Sequence, residues 1–363
     1  MSTPGQSRLS VRQALRDRCL TVASGSDGAS LARYLDPARG GLVVSSTSGI
    51  SGARALHAAL PGLILAADPK ERDEQAATPE APIGLPPGDM FGNTTLDEVI
   101  SGQFASGADI GVIPGRYVHA EDSDSLRALI EMANALDRDD VILRVPCAYP
   151  WARPESAPQL VALLKRSRHP AALSLGDRAD PLEQKGVPAG LRMVVDSLPG
   201  LIIWKTDLAG LDAFARGALA AAIGILPSLR HACPPGGPGR AIDKTDKTPR
   251  VFLPRLLRYV RGSYLHDEWF VSVDPWTCDC IICDGRAVDR FTGSRDDLLE
   301  ASIHNAIAIT ELHRGLAAEP TEYRMDLWRE KLRDAEIEHI SLSQYIEREV
   351  PFHKVLRFWL DHN

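Results

Sequence analysis

Three cysteines and a histidine carry the clearest chemistry in this sequence. The cysteines stand in Trp276-Thr-Cys278-Asp-Cys280-Ile-Ile-Cys283-Asp-Gly285. A Cys-x-Cys-x-x-Cys turn can aim three sulfurs at one point, and Gly285 lets the backbone wrap tightly behind them. Structural zinc takes thiolate or imidazole ligands in a closed tetrahedron, so a fourth ligand must come from elsewhere. His304 is the expected one. It lies in Leu298-Leu-Glu-Ala-Ser-Ile-His304-Asn305-Ala-Ile-Ala-Ile-Thr-Glu-Leu312, a strongly helical stretch that can present one imidazole to the metal. His313 is the weaker alternative, and without the cysteines His304 reads as a buried core histidine. Four protein ligands leave no open position for water, so the expected zinc is structural. Cys19, Cys147 and Cys233 are isolated and read as core or incidental residues.

The elements that must hold this cluster follow from the rest of the chain. Its 363 residues are 44% hydrophobic and 25% charged, ordinary globular composition with length enough for a large core. The net charge of −7 disfavours a uniformly basic nucleic-acid binder and leaves room for a local basic patch. The N-terminus is polar, and the longest apolar stretch, Ala218–Leu226, is too short to cross a bilayer, so the cytoplasm is the expected compartment. Six cysteines in a chain of this size do not suggest a disulfide framework.

Short β-rich runs alternate with helical patterns. Strands are expected at 41–46, 63–67, 108–113, 141–145, 171–175 and 201–204, and helices at 53–60, 123–136, 159–165 and 211–222. Such alternation implies parallel strands with helices outside. The number of units favours a closed (β/α)8 barrel over an open sheet, and no phosphate-cradling glycine loop supports a nucleotide fold. The Pro-rich segment 68–95 and the Gly/Pro-rich segment 234–250 read as long loops of the catalytic face. Residues 1–270 are therefore read as the barrel, 271–317 as a zinc-binding subdomain and 318–363 as a helical C-terminal appendage.

The cysteine turn, followed by a helix with His304-Asn305, apolar residues and Glu311-Leu312, resembles the zinc subdomain of the tRNA-guanine (queuine/archaeosine) transglycosylases. Gln103-Phe-Ala-Ser-Gly-Ala-Asp109-Ile110 is similar to that superfamily's entry to a barrel strand. Ala215-Arg-Gly217 with Ile225-Leu-Pro227-Ser228 is similar to its Ala-Arg-Gly helix end and Val-Leu-Pro-Thr-Arg strand. The order of the three motifs agrees, and together they span most of the chain. The resemblance implies a TIM barrel, a homodimer or a pairing with an active paralogue, and exchange of guanine for a 7-deazaguanine in tRNA (queuosine chemistry) or DNA. Gln103 and Asp109 are then expected among the substrate-binding residues.

The departures concern the reaction itself. The superfamily's nucleophilic aspartate falls at Ala222, Ile223 or Gly224, and the base-reading carboxylate falls within Ile110–Gly115; neither place holds an acid. Displacing a base through a covalent glycosyl intermediate needs a carboxylate at the anomeric carbon, which apolar residues cannot replace. Acids at the ends of expected strands are the substitutes, with Asp68 and Asp207 as catalytic candidates. Plain helix caps are the competing reading of both. Lys205 and Asp207, two apart on one strand, are expected to face each other as an ion pair. Asp177, Arg178 and Asp180 read as loop charges. Arg116 and Arg230 could meet phosphate, Tyr117 could stack on a base and His231 could act as acid or base. The expected function is a divergent guanine transglycosylase; the alternative is a catalytically silent paralogue that binds nucleic acid or a partner protein.

Overall fold

The computed structural model describes residues 10–25, 27–45, 52–68, 75–86, 94–236 and 245–362. Eight strands form one sheet: β1 Arg18–Ser24, β2 Gly40–Ser45, β3 Ile64–Ala67, β4 Gly111–Pro114, β5 Val141–Ala148, β6 Ala171–Gly176, β7 Ile202–Thr206 and β8 Ala220–Gly224. Their order is β3-β2-β1-β8-β7-β6-β5-β4, and every printed pairing in this sheet is parallel. Because β8 pairs with β1, the ring is nearly closed, a TIM-type α/β barrel with helices between the strands. Among the described helices none is long and apolar enough to cross a membrane.

At the open seam between β3 and β4, Asp109 bridges to β3 and Gln103 satisfies backbone groups of β4. The amide of Gln103 accepts from Val112 N (2.7 Å) and donates to Val112 O (2.9 Å). Asp109 donates its backbone N–H to Leu65 O (2.8 Å), and its carboxylate accepts from Leu65 N (2.8 Å). Side-chain groups thus satisfy backbone groups of β3 and β4 that a ladder would otherwise pair.

Alternation along β5 to β8 sorts the core into two layers. Leu20, Leu42, Ile142, Ala172, Ile202, Trp204, Ala220 and Ala222 share one buried cluster, while Leu143, Leu173, Ile203, Ala221 and Ile223 join the cluster formed with the helices. Trp204 stands in register with Ala222, so the alanines of β8 leave room for the indole. The same alanines corrected a sequence expectation: residues 211–222 are not one helix. The helix is Ala209–Ala215, and the alanine run belongs to β8.

After β8 come an antiparallel pair, β9 Arg250–Leu253 with β10 Arg258–Arg261, and a short pair, β11 Thr277–Cys278 with β12 Arg286–Ala287. The helix Arg295–Ala318 then contacts β1, β9 and the helices Gly28–Ala32 and Ala209–Ala215. It fills the last helical place around the barrel, so the cysteine segment is an insertion into the final strand–helix unit.

The residues beyond 318 form the helices Thr321–Tyr345 and Lys354–Asp361. They are tied to the barrel. Trp328, Leu332, Val355 and Trp359 lie in the same core cluster as β5 and β6 residues. Buried Arg192 grips Asp212 at 2.6 and 2.9 Å and reaches the Trp359 and His362 carbonyls, while Trp328 Nε1 also donates to Asp212 (3.0 Å).

Candidate functional site

The cysteine turn and the histidine helix meet as their spacing predicted. The Sγ atoms of Cys278, Cys280 and Cys283 lie 3.5, 3.6 and 3.4 Å from Nδ1 of His304. Tetrahedral zinc with bonds of about 2.3 Å to sulfur and about 2.0 Å to nitrogen separates S from N by about 3.5 Å. All four ligand atoms lie within 4.8 Å of one another, so the cluster can hold a metal ion such as zinc. The turn is made by Asp284 and Gly285, both at positive φ (50° and 73°).

The surroundings fix the histidine. Its Nε2 donates to Phe252 O at 2.8 Å, which leaves Nδ1 as the lone-pair nitrogen facing the sulfurs. Asn305 accepts from Phe252 N (2.6 Å) and donates to Arg250 O (2.7 Å), so β9 and the helix are locked in register. Hydrogen bonds from Cys278 and Cys283 pull the Cys280 thiol down, while the same kind of contact pushes Cys283 up. Three sulfurs competing for protons around one point make a donor set suited to a cation. His313 lies elsewhere: buried and 4.3 Å from the Phe214 ring, it is no part of the cluster.

Asp68 ends β3 and is wholly buried inside the barrel. Its Oδ1 accepts from Arg144 Nη1 (2.6 Å); its Oδ2 accepts from Trp204 Nε1 (2.7 Å) and lies 3.3 Å from Lys205 Nζ. Burial opposes its ionised form, but the charges of Arg144 and Lys205 and the hydrogen bonds from Trp204 and Lys205 outweigh burial and lower its pKa. Neighbouring residues 204 and 205 reach the same carboxylate because Lys205 adopts φ 49° at a register shift in β7. The expected Lys205–Asp207 pair is therefore corrected: the bulge breaks the alternation and turns Lys205 to Asp68. Pro69 lies outside the described residues.

Asp207 follows β7, one residue before the N-cap Leu208 of the next helix, and accepts from Ala209 N (3.1 Å). Asp180, which follows β6, accepts from Leu182 N (2.9 Å), and its pKa is pushed up to about 7 by burial and then by the charge of Asp207. Arg230, after β8, donates to the Gly224 and Ile225 carbonyls (3.0 Å each) and lies 3.4 Å over the Tyr259 ring. The Tyr259 hydroxyl is buried and has no hydrogen-bond partner among the described residues. Carboxyl ends of β6, β7 and β8 thus share a rim of Asp180, Asp207 and Arg230. Asp180 reads as a loop charge in the sequence; its perturbation comes from residues distant along the chain.

Other expected site residues are engaged in structure. Gln103 is spent on the Val112 backbone of β4, and Asp109 fastens the seam to Leu65; Asp109 precedes β4, at the opposite end of the barrel from Asp68. Tyr117 is buried and donates to Gly176 O (3.3 Å), which leaves no exposed face for a base. Arg116 donates to Ala81 O (3.3 Å). His231 contacts Ala232 O through Nδ1 (3.1 Å). At the position of the missing nucleophile, Ala222 faces Trp204 and Ile223 packs outward. At Gly224 a Cβ would fall 2.3 Å from Leu229 O, so no side chain fits there.

The sequence matches no family model and no curated protein. Among solved structures, the carboxyl transferase domain of Rhizobium etli pyruvate carboxylase with 3-bromopyruvate aligns over 97% of this chain and 57% of its own, at 13% identity and a TM-score of 0.32. The same domain with pyruvate and biocytin aligns over 94% and 61%, at 13% identity and 0.30. Tryptophan synthase from M. tuberculosis in a ligand-free form aligns over 59% and 85%, at 14% identity and 0.21. This chain spans about three-fifths of the length of the two carboxyl transferase structures. Likeness at this level carries no functional inference.

Proposed function

We propose that this chain is a divergent barrel of the tRNA-guanine transglycosylase type that keeps a structural zinc clip, has lost base exchange, and serves as a binding scaffold. The observation that carries the reading is the fate of Asp68. It is the first catalytic candidate, the acid at the end of β3, and it is sealed in the barrel by Arg144, Trp204 and Lys205. A nucleophile must reach an anomeric carbon, and a wholly buried carboxylate with both oxygens engaged does not. The position of the missing nucleophile has no room for a replacement at Gly224.

The partner in this reading is a second barrel, either a copy of this chain or an active paralogue that works on tRNA or DNA. Support comes from a groove of about 890 Å³ beside the cysteine turn, bounded by Tyr34, Ile307, Leu312 and Leu327. Ile281, within the turn, is 76% exposed at its edge. Apolar surface of this kind marks interaction sites.

The test is incubation of the purified chain with labelled guanine and either tRNA or duplex DNA, alongside light scattering. No incorporation and a mass above that of the monomer are expected. The rim acids Asp180 and Asp207 favour a second reading, exchange with relocated carboxylates. Incorporation that disappears in Asp207→Asn would establish that reading in place of the first.

A further inference from the structure

The groove beside the metal cluster exposes the ligands unequally. Cys283 is wholly buried in a core with Val251, Leu253 and Phe291, and His304 is 1% exposed. Cys278 and Cys280 are half-buried, and their side chains line the groove together with Tyr34 and Leu327. A small solute entering the groove therefore reaches the cluster on the side that Cys278 and Cys280 form, away from buried Cys283. We propose that Cys278 and Cys280 form a peroxide-sensitive latch that dismantles the groove wall when oxidised. The inference rests on the zinc reading above.

The chemistry balances with hydrogen peroxide as oxidant. One groove thiolate attacks a peroxide oxygen; the S–O bond forms, the O–O bond breaks and hydroxide leaves. The second groove thiolate attacks that sulfenyl sulfur; the S–S bond forms and a second hydroxide leaves. Two thiolates are oxidised, the peroxide is reduced, and uptake of two protons yields two waters. The ligand atoms already lie within 4.8 Å of one another, so the second step needs only a small closure. Two of four ligands are then spent, and Cys283 with His304 does not hold the ion alone.

The consequence is local. Helix Arg295–Ala318 stays joined to β9 through Asn305, which bonds the backbone of Phe252 and Arg250 without any metal. The β11–β12 turn with Ile281 has two residue pairs of sheet, and the backbone bonds that shape it from Cys283, Asp284 and Gly285 are accepted by the carbonyls of Cys280 and Cys278, the two residues that oxidation joins. Oxidation thus removes one wall of the groove and leaves the barrel standing.

The experiment uses the full chain in a Cys233→Ser background, because Cys233 is exposed and would consume oxidant. Cys19 and Cys147 are internal controls, since burial pushes both thiols up to about 12. Hydrogen peroxide is added to zinc-loaded protein, and released zinc, remaining thiols and far-UV circular dichroism are followed. Expected are release of the bound zinc, a disulfide mapped to Cys278 and Cys280, intact Cys19 and Cys147, and an unchanged helical spectrum. Zinc that stays bound under peroxide concentrations that fully oxidise Cys233 in the natural chain overturns the proposal. So does release accompanied by loss of the Cys19 and Cys147 thiols, which reports global unfolding. Protein that carries no zinc as purified would instead sink the zinc reading itself.

Discussion

His304 and Phe252 are joined by a 2.8 Å hydrogen bond from the imidazole Nε2 to a backbone carbonyl. A carbonyl can only accept, so the proton sits on Nε2 and the lone pair of Nδ1 faces the three sulfurs. The Phe252 ring in turn lies 4.8 Å from the Tyr259 ring, on which Arg230 stacks. The metal cluster and the rim of the barrel are therefore held by one hairpin.

Cys280→Ser should lower zinc content and melting temperature together, because structural zinc contributes folding free energy directly. Asn305→Ala should separate the two. It leaves the Phe252 N–H and Arg250 carbonyl without their partner, costing about 1–3 kcal/mol for each group left unsatisfied, while all four ligands remain. Metal analysis and thermal melts on both variants check this; zinc lost equally in both would mean that Asn305, not the ligand set, governs the site.

Asp68→Ala should destabilise the chain by roughly 3–5 kcal/mol, since it removes the buried carboxylate that Arg144 and Lys205 share. The pH dependence has a definite sign. The folded pKa of Asp68 is lowered, so its contribution is complete above the unfolded value, about 3.9, and is lost as pH falls through the folded pKa. Urea titrations between neutral and acid pH should show this loss in the natural chain and not in Asp68→Asn. Equal acid sensitivity of the two would contradict the ion-pair account.

Asp180 should act in the opposite sense. Its folded pKa of about 7 lies above the unfolded value, so between about 4 and 7 the folded state holds the proton more tightly and stability falls as pH rises. Asp180→Asn should therefore stabilise more at pH 8 than at pH 5, and Asp207→Asn should bring the Asp180 titration down. Carboxylate NMR reads both; an Asp180 midpoint near 4 in the natural chain would rule out the crowded rim.

His313→Leu should keep its zinc. The imidazole is wholly buried, neither ring nitrogen has a hydrogen-bond partner among the described residues, and burial followed by the charge of Arg324 lowers its pKa to about 4. A neutral apolar side chain of similar reach suits that place. Reduced zinc in this variant would return His313 to the ligand set.

The amino-acid sequence by itself determined the metal cluster and the repeating strand–helix order. Both are encoded locally: three cysteines within one turn, a histidine on one helix, and apolar residues at strand and helix periods. β1 escaped that reading although Arg18–Ser24 runs into the turn signal Gly25-Ser26-Asp27-Gly28, and β8 escaped it because its alanines suit a helix as well as a barrel interior that must admit Trp204. Tertiary structure alone decided what the acids do. Asp68 meets Arg144 and Trp204, 76 and 136 residues away, only once the barrel closes. Asp109 became the fastener of the β3–β4 seam for the same reason, through Leu65, 44 residues away. A carboxylate's role is set by the charges and donors that arrive from other strands, and no local pattern records which of them will arrive.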